Sequence, residues 1–264
     1  MVSDRDGLIR EFVQPTVVTN IQQDACHVPI DPPRSLALPA RELVAPRWHT
    51  ALFVLLVIGV AAVGTFAASS SGAAPRGSPA SGPLWVAFLP LLFVEWLLVL
   101  WVARIARPTS VLSELIGRRW HDRRRAIGDL TWAIGAGVVI VGLELAWATA
   151  FGSTRAPSVT AMLPHTAAER IGWVALALMV GFCEEVIYRG YLQTQLLAFS
   201  RSPAAAVVGS AVVFGVAHLE QGPAAALRIA FSGAVLGVVA RKRSSLVPGI
   251  LCHAGIDAAA GLFS

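Results

Sequence analysis

About seven stretches of this chain are apolar almost without interruption, and the polar residues collect between them. The first three are "WHTALFVLLVIGVAAVGTFA" from Trp48, "LWVAFLPLLFVEWLLVLWVARI" from Leu84 and "LTWAIGAGVVIVGLELAWATAFG" from Leu130. Each approaches or exceeds the ~20 residues that carry a helix across the hydrocarbon of a bilayer. Four more follow at 171–197, 203–219, 223–240 and 245–262. These are less uniformly apolar and rich in Gly and Ala, the composition of helices packed closely inside a membrane bundle. The pattern predicts an all-α fold, a polytopic transmembrane helix bundle.

The segments between the apolar runs give the bundle a direction. The basic stretch "RRWHDRRRAIGD" (118–129) and the tripeptide "RKR" (241–243) belong on the cytoplasmic side, where Lys and Arg accumulate. The segments 68–83 and 153–170 carry few positive charges and belong outside. Seven alternating spans satisfy both conditions with a cytoplasmic N-terminus and an outer C-terminus. Residues 1–47 hold prolines and mixed charges but no apolar run, which predicts a polar cytoplasmic extension without the short apolar core of a signal peptide. Residues 48–169 then form a first group of transmembrane helices and 170–262 a second.

Composition agrees with this reading and narrows it. Of 264 residues, 55% are hydrophobic and only 14% charged, against about 25% charged in soluble domains. Mean hydropathy is +0.65, so the predicted location is a cell membrane, crossed several times. The net charge of +5 is explained by loops beside spans and points to no nucleic-acid partner. Cys26, Cys183 and Cys252 lack CxxC spacing, so neither a disulfide framework nor a zinc knuckle is expected.

Charges inside the apolar runs carry the chemistry, because each costs about 2.5–3.5 kcal/mol to insert. Glu95 and Glu144 are single acids in the first half, read here as protonated carboxyls bonded to neighbouring helices. The second half is denser, with Glu184, Glu185 and Arg189 in "GFCEEVIYRGYL", His218 in "FGVAH", and His253 and Asp257 in "HAGID". Glu185 and Arg189 stand four apart with the acid first, the favourable order for a helical ion pair. That leaves Glu184 without a local cation. A rise of about 1.5 Å per residue sets Glu184 ~20 Å below Ile171, His218 ~22 Å above Ser202 and His253 ~12 Å above Leu246. All three then fall in the middle to inner half of the membrane. One carboxylate and two imidazoles around a water-accessible cavity make a hydrolytic site: a base for water, imidazoles to hold or shuttle its proton, and donors for an oxyanion.

"EEVIYRG", "FGVAH" and "HAGID" resemble, in order and spacing, the motifs EExxxR, FxxxH and Hxxx(N/D) of the CAAX protease and bacteriocin-processing family. These intramembrane endopeptidases are similar to the type II CAAX prenyl endopeptidase and are often grouped under abortive infection. The resemblance covers about residues 170–260 and implies an endopeptidase acting on a membrane-associated peptide or protein. It implies Glu184 as the base that activates water, Glu185 and Arg189 as its support, and His218 as a holder of that water. His253 and the residue four on would steady the oxyanion. The family commonly has Asn at that last position, and an ionised Asp257 cannot donate, so Asp257 must be protonated, orient His253, or play a weakened role.

Two other classes compete. A proton-coupled transporter also uses intramembrane Glu and His, but these polar groups crowd into one half and no repeat is visible. A non-catalytic immunity or scaffold protein would have no use for Glu184, His218 and His253 together. The favoured reading requires no cofactor. Zinc is the alternative, with Glu184, His218 and His253 as its ligands, although no HExxH pair preorganises two of them.

Overall fold

The computed structural model describes residues 43–70, 85–105, 116, 122–152, 159–160 and 162–263. Most of the expected cytoplasmic extension (1–42) and nearly all of the expected outer loop at 68–83 lie outside them. Among the described residues the long elements are all helical: α1 (Arg47–Ser70), α2 (Trp85–Ile105), α3 (Arg123–Phe151), α4 (Ala167–Ser200), α5 (Pro203–Val216), α6 (Pro223–Arg243) and α7 (Val247–Leu262). The expected bundle is what forms.

Its outside is apolar. Leu55, Val63 and Phe66 on α1, and Val138 and Leu145 on α3, are all exposed. Such a surface is stable against lipid and would be an aggregation hazard in water. Among the described residues, four helices are long and apolar enough to cross a membrane: α1, α3, α4 and α6. By contrast, α5 and α7 have 14 and 16 residues. At about 1.5 Å per residue they reach roughly 21 and 24 Å, short of a ~30 Å core. The run read as a span over 203–219 therefore ends early, and His218 sits in the turn beyond it.

The helix boundaries have local causes. Thr166 and Glu169 form a reciprocal capping box, so α4 begins four residues before the apolar run at Ile171; the T-x-x-E signature marks the start. At the far end Arg201 takes a left-handed conformation (φ 55°). Ser202 then caps α5, accepting from the Ala205 N–H, with Pro203 in the first turn. Asp122 caps α3 by accepting from the Arg124 N–H. Residues 123–129 are thus helical rather than loop, and 241–243 likewise form the last turn of α6.

Several contacts between distant segments agree with an alternating up-and-down course. Arg243 at the end of α6 bonds Asp129 near the start of α3, Nη2 to Oδ1 at 2.7 Å, so the two basic clusters lie together. The start of α1 meets the end of α4. There the Gln195 Oε1 accepts from the Val44 and Ala45 N–H groups, and its Nε2 donates to Thr50 Oγ1. Near the opposite ends, Glu144 of α3 is ion-paired with Arg228 of α6. The core between these levels is built from Phe53, Val102, Cys183, Ile187, Tyr191, Leu192 and Leu246, all buried.

Candidate active site

The middle of α4 departs from the α-helix over Glu185–Leu192, where it widens to a π-helical turn with the Gln193 N–H donating to the Tyr188 carbonyl. The Tyr188 carbonyl accepts a second bond from the buried Ser210 hydroxyl of α5 at 2.8 Å. π-bulges cost regular hydrogen bonding and recur at functional sites. This one lies on the segment "EEVIYRGYL".

Within it the predicted ion pair forms: Arg189 Nη1 stands 2.9 Å from Glu185 Oε1, with both side chains buried. The guanidinium carbon also sits 4.3 Å above the ring centroid of Phe214, a cation–π contact that helps a cation in apolar surroundings. Helix packing leaves no slack here. A Cβ at Gly249 of α7 would lie 2.7 Å from Glu185 Oε2, so a side chain there would force that carboxylate or α7 to shift.

Glu184 is where three chain segments meet. Its Oε2 is 3.3 Å from His253 Nε2 on α7, and its Oε1 is 3.8 Å from His218 Nε2 in the turn after α5. His253 also faces Glu185, with Nδ1 3.2 Å from Oε1, and Asp257, with Nε2 3.5 Å from Oδ2. All six residues singled out in the sequence are therefore brought into one connected cluster. Side-chain exposure rises from Glu185 (0%) through Glu184 (9%), His253 (13%) and His218 (19%) to Asp257 (37%), so the cluster is reached from the Asp257 side.

Donor and acceptor chemistry fixes the imidazoles further. The Phe214 carbonyl can only accept, so His218 Nδ1 carries the hydrogen of their 2.8 Å bond and the neutral ring presents a bare Nε2 to Glu184. Two acceptors 3.8 Å apart are reconciled by a molecule donating to both, which a water does. On His253 the Nδ1–H donates to Glu185, leaving Nε2 between the carboxyls of Glu184 and Asp257. That arrangement is consistent only if a proton is held among these three groups.

Glu185 therefore orients His253 through Nδ1, a role that the sequence offered to Asp257. The pairing spans 68 residues, and no local spacing announces it. Phe214, Ser210 and Gly249 were also missed; the first stands in FGVAH itself, four before His218. Glu144 is held by Arg228 from across the bundle rather than by a neutral hydrogen bond. Among the described residues, no three His, Cys, Asp or Glu side chains are grouped so as to hold a metal ion. No step below is routed through a metal.

Residues 166–259, the segment that carries all six site residues, match the model of one protein family, described as type II CAAX prenyl endopeptidase Rce1-like. No curated protein and no solved structure matches the chain. Over residues 166–259, this helical membrane protein is similar to the Rce1-like type II CAAX prenyl endopeptidases.

Proposed function

We propose that the protein is an intramembrane endopeptidase that hydrolyses a peptide bond of a membrane-associated substrate with water activated by Glu184. What supports this is one observation above all. A carboxylate that has no Arg or Lys partner among the described residues faces two imidazoles whose Nδ1 atoms are already engaged. Water held between Glu184 and His218 Nε2 gives up a proton to Glu184 as its oxygen bonds to the scissile carbonyl carbon. His253 Nε2, carrying the proton held near Glu184 and Asp257, donates to the oxyanion. The C–N bond then breaks as the proton on Glu184 passes to the leaving nitrogen, giving one carboxyl and one amine product.

Asp257 keeps that proton at His253 in this scheme, which gives the Asp a use where the family commonly has Asn. The remaining charges have structural tasks: Arg189 balances Glu185, and Glu185 holds the ring. The family's description makes a prenylated CAAX protein the first substrate class to try.

The experiment is peptide-release profiling of membranes that contain either the wild type or Glu184→Gln at equal abundance. Peptides released by the wild type and absent with the variant identify the substrate. Identical profiles from the two membranes contradict the endopeptidase reading.

A further inference from the structure

α2 lies outside the family-matched segment, yet it walls the site. Val99 and Val102 pack in the cluster that includes Cys183, Val186 and Ile187, and Leu92 packs with Trp173 and Leu176. The ring of Trp96 stands 5.9 Å from that of Phe182. Residues 92, 95, 99 and 102 recur at helical spacing, so Glu95 occupies the face turned towards α4. There it lies within electrostatic range of Glu184, His218 and His253.

The other acids within the bundle have partners. Arg243 holds Asp129, Arg228 holds Glu144, Arg189 holds Glu185, and imidazoles face Glu184 and Asp257. Glu95 has no ion-pair partner among the described residues, and its Oε2, like Asp129 Oδ2 and Glu185 Oε2, is buried without a hydrogen bond. An acceptor left in that state destabilises the protein unless a water or a ligand brings the donor.

Peptide hydrolysis creates such a donor. The leaving nitrogen begins as an amide with at most one N–H and ends as an amine with several, positively charged once it takes up a further proton from solvent. We propose that Glu95 is the group that receives the leaving amine, accepting its N–H hydrogens as Glu184 delivers the proton. The inference rests on the endopeptidase reading above and adds to it a substrate-contacting residue from the first half of the chain. It also gives the site a polarity: the amine product departs along α2, and the acyl portion lies towards His253 and Asp257.

The test uses the full chain in lipid nanodiscs and a peptide that wild-type membranes release from its precursor in the profiling experiment. Cleavage is inhibited with the amine product and, separately, with its N-acetylated form. The wild type should be inhibited about tenfold more strongly by the free amine, a modest effect for a charge paired out of water. In Glu95→Gln and Glu95→Met that preference should fall to about twofold or less, with Glu184 untouched. Equal inhibition of the wild type by both forms overturns the proposal, and needs no variant to fold. So does a variant that retains the wild-type preference, which would pass the role to Asp257 or Glu184. A wild type that releases nothing in profiling instead contradicts the endopeptidase reading itself.

Discussion

Adjacent in sequence, Glu184 and Glu185 have opposite surroundings. Glu185 is closed in by Arg189, His253 and the backbone of Gly249, whereas Glu184 faces two imidazoles at the open side. Glu185→Gln therefore removes a structural charge: it strands Arg189 in apolar surroundings, a defect of about 3–5 kcal/mol for a buried pair. The expected result is a lower midpoint of thermal unfolding together with reduced turnover, read on the same preparation. Unchanged stability would show that Arg189 has another counter-charge. The six charged residues were legible because charges are rare in apolar runs and each needs a reason. Which of the acids steadies His253 was not legible, because it depends on how α4 and α7 pack across 68 residues. In the sequence Glu95 reads as a carboxyl bonded to a neighbouring helix, because a single acid in an apolar helix carries no spacing to read.

The elements show how much of the site is made by helix packing. α7 crosses α4 so closely that a Cβ at Gly181 would lie 2.9 Å from the Ala254 nitrogen, and Gly249 rests on Glu185 in the same manner. Gly249→Ala is expected to push α7 outward, costing about 1–3 kcal/mol by overpacking and lengthening the bond between Glu185 and His253. Turnover should fall at least several-fold while KM changes little, because the ring is displaced and the substrate surface is not. Wild-type turnover in Gly249→Ala would mean that the two helices can part without disturbing His253. The Gly- and Ala-rich composition of 203–262 announced close packing in general terms. The π turn at Glu185–Leu192 had no such signal: the Ser210 hydroxyl that bonds its Tyr188 carbonyl comes from a neighbouring helix. The shortness of α5 is written in the sequence only as the Gly222–Pro223 break, which a hydropathy window averages away.

For the whole molecule, the meeting of Asp129 with Arg243 puts both basic clusters at one end of the bundle, and the positive-inside rule predicts that this end faces the cytoplasm. In a chain otherwise free of reactive cysteine, Asp122→Cys should resist an impermeant thiol reagent in intact cells and react after permeabilisation. Labelling from outside would invert the bundle. Water activated by a carboxylate needs no bound metal, so activity in detergent should also survive exhaustive chelation, with elemental analysis finding no stoichiometric zinc. Loss on chelation, restored specifically by zinc, would replace this mechanism. The most direct measurement compares purified wild type and Glu184→Gln on one identified substrate at matched folding. The predicted result is a fall in turnover of at least about 100-fold, the usual contribution of a positioned general base, with unchanged expression and unfolding midpoint. A purified Glu184→Gln protein that cleaves at the wild-type rate would contradict the assignment of Glu184 as the base.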